Sequence, residues 1–237
     1  MKRFLSLIIT TGLLAVAAQA AIVITAELPG VQNTTQAGTY VTETFDGPGV
    51  PAPGQAFPGT YVSPIGTYSE GAAVVAANAY GGSYQTNYIS IGAQQPSDLS
   101  YTLTFSNIVY YFGFYWPAGD AGNRIEFLDG ASTVGSYRIS DVIATLGLGS
   151  AYDGNPNLPG VNTGEKYVFL NFTATDPTQF TAVRFLNDST GTGFETDNHT
   201  VSYARVTPFS DTPEPASFGL AGAALLALGL KFRRRKA

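Results

Sequence analysis

Between positions 21 and 212 no window keeps the 3.6-residue apolar spacing of a helix, while many alternate with period two. Such a chain is confined to strands. Leu99, Tyr101, Leu103 and Phe105 alternate with Ser100, Thr102 and Thr104, the pattern of a strand with one wet face. Positions 108–116 are apolar or aromatic on both faces and predict a central strand covered on each side. Further strands are predicted at 40–45, 72–77, 88–91, 124–128, 135–140, 167–173, 182–186 and 201–206. One short helix, capped by Asp141, is predicted at 141–146. Breakers such as Asp46-Gly47-Pro48-Gly49 mark loops. About nine or ten short strands at this spacing predict an all-β fold, a two-sheet antiparallel β-sandwich of the jelly-roll kind.

Charge is segregated. The chain has 237 residues, and its bases gather at the two ends, leaving Arg124, Arg138, Lys166, Arg184 and Arg205 against 16 acids between positions 21 and 212. That balance excludes a basic nucleic-acid-binding surface. Zero cysteines exclude a thiol nucleophile, a Cys-ligated metal and a disulfide framework. A single histidine excludes a multi-His metal site, and any Ser-His-Asp triad would have to use His199. His199 reads as a surface strand residue rather than a general base. Fifteen Phe, 14 Tyr and one Trp supply enough aromatic bulk for one large core.

The ends read as addresses. Residues 1–20 have a charged start (Lys2, Arg3), an apolar stretch and a small-x-small site, Ala18-Gln19-Ala20, which predicts a signal helix and a mature chain beginning at Ala21. The sandwich domain is assigned to 21–206 and a linker to 207–212. At the far end Pro213-Glu214-Pro215 is followed by an uncharged run at 216–230, then by Lys231, Arg233, Arg234, Arg235 and Lys236 within the basic end 231–237. A 15-residue helix reaches about 22 Å, so 216–230 spans a membrane only where it thins and the basic residues snorkel. The basic cluster would hold that end in the cytoplasm and leave the domain outside.

This tripeptide, span and basic end, in that order, resemble the PEP-CTERM sorting signal over residues 213–237. The same tail has also been named after ice-binding proteins that carry it, which assigns no such activity here. The resemblance implies an exosortase as processing partner near Pro213-Glu214-Pro215. It also implies passage through the inner membrane of a Gram-negative bacterium to the cell surface or extracellular matrix. Thr212 stands where valine is common. Three further stretches, 111–116, 123–130 and 194–198, resemble a group of exosortase-dependent surface proteins of unassigned activity. That similarity implies a sandwich and an extracellular place but no catalytic residue.

Several constellations could bind. Glu43 and Asp46 open the domain and Asp197 comes late. Meeting across a jelly roll, they could hold a structural Ca²⁺, or they could simply cap turns. Asp153, Asn155 and Asn157 have alternate oxygen spacing, but Pro156 and Pro159 argue for a plain turn. The aromatic run 110–116 could stack on sugars but reads better as sheet core. Tyr80, Tyr84 and Tyr88, around Gly81-Gly82, are placed for exposure in a loop that could bind a ligand. The leading expectation is a non-enzymatic surface or matrix protein associated with exopolysaccharide. The alternative is a secreted glycosidase-like enzyme using an unidentified carboxylate pair.

Overall fold

The computed structural model describes residues 22–93 and 98–207. The signal helix, residues 208–212 of the linker, the sorting tail and its membrane-spanning run lie outside them. The strands are β1 (Ile22–Ala26), β2 (Val41–Glu43), β3 (Tyr61–Ser63), β4 (Gly66–Tyr68), β5 (Ala73–Val75), β6 (Tyr88–Gly92), β7 (Ser100–Val109), β8 (Tyr111–Gly119), β9 (Asn123–Asp129), β10 (Ser132–Arg138), β11 (Lys166–Ala174), β12 (Phe180–Asn187) and β13 (Gly193–Ser202). Helix α1 (Ile139–Thr145) follows β10.

Two antiparallel sheets result. One runs β1-β11-β8-β13-β6-β5, with β2 also paired to β13, and the other runs β10-β9-β12-β7-β4-β3. Alternation decides what faces the space between them. Phe112, Phe114 and Trp116 from β8, with Leu170 and Phe172 from β11, meet Leu103, Phe127 and Phe185 from the other sheet in one buried cluster. Phe127 and Phe172 bring their ring centroids to 4.9 Å. Each such side chain contributes roughly 1.5–3 kcal/mol by leaving water. The Trp116 indole donates to Asn123 Oδ1 at 2.8 Å, so its polar edge is satisfied inside the core.

The structure differs from the sequence expectation at several points. The apolar run 108–116 is not one strand. β7 ends at Val109 in one sheet and β8 starts at Tyr111 in the other, so the chain changes sheets at Tyr110 without a glycine or proline. The helix begins at Ile139, with Arg138 at its N-cap and Asp141 inside its first turn, where a negative charge suits the helix dipole. The last strand starts at Gly193 rather than 201, and it contains Glu195 and Asp197 instead of following them. β1, with five residues, and β3 and β4, with three each, stand outside the predicted set.

Candidate functional site

β13 holds Glu195, Thr196, Asp197, Asn198, His199, Thr200 and Ser202, and every one is buried. Strands this polar are normally wet on one face. Here both faces are covered. Thr196 meets the Tyr101 hydroxyl at 2.7 Å, and His199 stacks on Phe185 with centroids 5.1 Å apart. Both therefore point between the sheets. Asp197 points the other way. Its Oδ2 accepts the Ser83 N–H at 2.7 Å, the Ser83 hydroxyl at 2.8 Å and the Thr86 hydroxyl at 2.9 Å. A one-residue register shift against β8 falls between Asp197 and Thr200, and Asn198 there has φ 49°. The bulge turns Asn198 toward the loops as well, where its amide donates to the Gln32 carbonyl at 2.7 Å.

His199 is therefore not a surface residue. It is fully buried, and its Nδ1 shares a 2.9 Å hydrogen bond with the Tyr68 hydroxyl. Burial lowers its pKa to about 3, so it stays neutral and serves as packing. Burial also raises the Asp197 carboxyl to about 7, with the Ser83, Asn198 and Thr86 donors pulling in the opposite direction.

Three loops, 27–36, 76–87 and 150–165, cover the outer face of the seven-stranded sheet over Tyr115, Tyr167 and Phe169. Amide side chains lace them together. Gln32 donates to Tyr115 Oη at 3.3 Å and to Asn157 Oδ1 at 2.9 Å, and its own oxygen accepts the Tyr84 N–H at 3.0 Å. Asn162 donates to the Tyr80 carbonyl at 2.9 Å and to Tyr167 Oη at 2.7 Å. Burial pushes the Tyr167 phenol up to about 12. Asn78, Gln85, Ala118, Asn162 and Asn198, five of the six non-glycine residues with positive φ among the described residues, sit on these loops or directly beneath them. Strained backbone of this kind costs about 1–3 kcal/mol each and gathers at sites that bind.

The structure brings together only part of what the sequence proposed. Tyr80 and Tyr84 are 52 % and 62 % exposed on the middle loop. Tyr88 is not exposed: it is buried in β6, and its hydroxyl accepts the Tyr80 N–H at 3.2 Å, which shapes the loop instead of meeting a ligand. Glu43, Asp46 and Asp197 do not converge. Glu43 accepts the Phe45 N–H at 2.7 Å and the Tyr61 hydroxyl at 3.1 Å, and Asp46 accepts the Asn87 N–H at 3.0 Å. Each carboxylate is thus engaged by protein donors. No group of three or more His, Cys, Asp or Glu able to hold a metal occurs among the described residues. Asp153, Asn155 and Asn157 form a turn in which Asn155 Oδ1 accepts the Asn157 N–H at 2.9 Å and Asp153 pairs with Lys166 at 2.5 Å. The run 111–116 is core, with β8 buried from position 111 to 118, while Tyr110 is half-buried beneath the Arg205 guanidinium.

Two hollows open between the loops. One of about 360 Å³ lies between residues 29–30 and the 151–163 loop, above Tyr167. The other, about 80 Å³, is lined by Tyr80, Asn162 and the acids Asp120, Glu165 and Glu195. Burial raises the carboxyls of both Asp120 and Glu165. Nothing in the sequence points to Gln32 or Asn162, because single amides in loops carry no spacing.

Residues 18–21 at the signal-cleavage site and 213–236 at the sorting end lie outside the described residues. The sorting end is reached by comparison of sequences: positions 211–236 match the PEP-CTERM protein-sorting motif. No curated protein matches the chain. Among solved structures it is similar to an apo-form cyclase from Fischerella sp., at 15 % identity and a TM-score of 0.33 over 81 % of this chain and 93 % of that one. The chain carries, at its C-terminus, the sorting motif of an exported protein that passes through the membrane to the cell surface.

Proposed function

We propose that this is a non-enzymatic surface or matrix protein that holds exopolysaccharide on its three-loop face. One observation carries the reading. Of the eight large apolar side chains exposed among the described residues, Leu28, Tyr80, Tyr84, Leu158 and Val161 lie on these three loops. Exposed apolar residues gathered beside fixed amides suit a pyranose, which offers C–H faces to aromatic rings and hydroxyls to amides. The excess of acids over bases between positions 21 and 212 suits a soluble domain outside the cell.

Two tests follow. Affinity electrophoresis of the exported protein against the producing cell's exopolysaccharide should show retardation. Replacing Tyr80 and Tyr84 with Ala should weaken it about thirtyfold, at about 1 kcal/mol per ring, without changing the melting temperature. Unaltered retardation in the double variant would end the reading. Intact-mass measurement of surface-extracted protein should find a chain starting at Ala21 and lacking residues 233–236. Recovery of those basic residues at the surface would contradict processing by an exosortase.

Among the described residues, the glycosidase-like alternative is best placed at the hollow with Asp120, Glu165 and Glu195. At about 80 Å³ it is several times smaller than the roughly 300–1,000 Å³ of usual ligand sites, which supports binding over turnover. Release of reducing ends from the polymer, abolished by Glu195→Gln, would reverse that preference.

A further inference from the structure

Sheets end in strands with an unpaired edge, and proteins protect such edges with charge, proline, bulges, short length or a covering segment. Three of the four path-end strands are protected in this way. β5 has three residues, and segment 54–57 covers it through bonds such as Val74 N–H to Gln55 O at 2.9 Å. β3 has three residues. β10 has a register shift between Thr133 and Gly135 and ends in Arg138. β1 has none of these features. Its sequence, Ile22-Val23-Ile24-Thr25-Ala26, has no charge and no proline, and its pairing with β11 runs without a shift.

The ladder shows which groups β1 leaves open. The Glu27 N–H donates to Phe169 O at 3.0 Å, one step past the Ala26–Leu170 pair. Antiparallel ladders alternate bonded and non-bonded pairs. Thr25 and Val23 therefore also bond inward to β11, and the N–H and C=O groups of Ile22, Ile24 and Ala26 face outward. They have no partner among the described residues. Beside this edge runs an apolar groove of about 450 Å³ between β1 and α1, lined by Ile22, Ile24, Tyr137, Val142 and Leu146 among others.

We infer that the occupant of this edge is β1 of a second copy, paired antiparallel about Ile24. The outward groups are symmetric about that residue, so Ile24 meets Ile24 and Ile22 meets Ala26. All six outward groups of each strand are then satisfied. A two-fold axis normal to the sheet also sets the two apolar grooves side by side on the same face, each closing the other. A five-residue strand pair alone is small beside a stable interface, and the joined grooves add the apolar area that such an interface needs. The length of chain ahead of the edge fits as well. With cleavage after Ala20, as the signal-peptide reading expects, Ala21 alone precedes Ile22, too little to fold back over β1. The dimer places two loop faces side by side on one continuous sheet, so that two sites engage one polymer.

The chain has no cysteine, which makes the register directly readable. Full-length Ile24→Cys, exported and mildly oxidised on the cell surface, should run as a dimer on a non-reducing gel. Its two Cα atoms would lie about 5.5 Å apart, within disulfide range. Ile22→Cys should stay monomeric, since its copies lie about 14 Å apart along the strands. Ile22→Cys and Ala26→Cys expressed together should cross-link. Ile24→Pro, which removes only an outward N–H, should leave the exported protein folded by circular dichroism but monomeric in sedimentation. Cross-linking of the Ile22→Cys variant as readily as of Ile24→Cys, or to a polypeptide of different mass, would overturn the inference. So would a sedimentation profile showing only monomer for the unaltered exported protein, or dimer formation only after deletion of residues 208–237.

Discussion

The outer faces of the two sheets are built on opposite terms. On the six-stranded sheet the outward residues meet water: Ser100 and Thr104 on β7 are exposed, and Arg184 on β12 reaches across to Glu126 with its side chain 43 % exposed. On the seven-stranded sheet the outward residues Glu195, Asp197, Asn171 and Tyr115 are all buried beneath three loops. The first face is a surface that a strand acquires by alternating. The second is a polar interior that the loops must complete group by group, because every donor or acceptor left there unpaired costs about 1–3 kcal/mol. Shape, strain and exposed rings have collected on the second face, and it is to this face that we assign binding.

The largest test of this contrast removes the carboxylate that ties the middle loop to β13. Asp197→Ala leaves the Ser83 N–H and the Ser83 and Thr86 hydroxyls without their acceptor. The expected loss is about 2–4 kcal/mol, or about 5–15 °C in melting temperature for a protein of this size. Because protein donors surround that carboxylate, EDTA and millimolar calcium should give the unaltered protein the same melting temperature. A calcium-dependent rise of several degrees would mean that the loop face is completed by an ion instead.

The same contrast explains what the sequence discloses. Positions 100–105 alternate because one side of β7 is wet, so the strand and its inward residues Tyr101, Leu103 and Phe105 are legible, whereas Leu99, read as their companion, falls before the strand and is exposed. The apolar stretch within β8 is legible too, since a strand covered on both sides can be apolar throughout. β13 is also covered on both sides, yet it reads Glu-Thr-Asp-Asn-His-Thr, which looks like a loop. Its partners, Ser83, Gln32, Tyr68 and Tyr101, come from distant parts of the chain, and no local pattern announces them. His199 and Tyr88 mislead for the same reason: composition marks them as polar, while tertiary packing buries them. The tail is legible as an ordered set of residue types, which needs no fold to be recognised.

A second test uses pH to separate the two sides of β13. The Asp197 carboxyl is raised to about 7, so the stability it contributes is complete below its unfolded value near 4 and is lost as pH rises through 7. The His199 pKa is lowered to about 3, so its contribution is present above 6.5 and is lost as pH falls through 3. Between about pH 4 and 6.5 the two slopes oppose each other and cancel, leaving the unaltered protein only the loss with rising pH that the raised Glu43, Asp120 and Glu165 carboxyls add. Asp197→Asn removes one slope. Relative to its parent, its stability should fall as pH is lowered through that window, by about 1.4 kcal/mol per pH unit in urea titrations. A variant whose pH dependence matched its parent's would mean that Asp197 is ionised in the folded state.

The smallest effect belongs to the wet face. Arg184 donates to Glu126 Oε2 through both Nε and Nη2, and Arg124 approaches the other oxygen at 3.4 Å. The geometry is good, but the Arg184 side chain is 43 % exposed, so water and salt screen the pair. Glu126 itself is buried, and Arg124 remains to neutralise it when Arg184 is lost. Arg184→Ala should therefore cost about 0.2–1 kcal/mol, and less again in roughly 0.5 M salt. A double-mutant cycle with Glu126→Gln measures the coupling directly. A coupling above about 2 kcal/mol, comparable with the loss at Asp197, would make this face as demanding as the loop-covered one and remove the distinction between them.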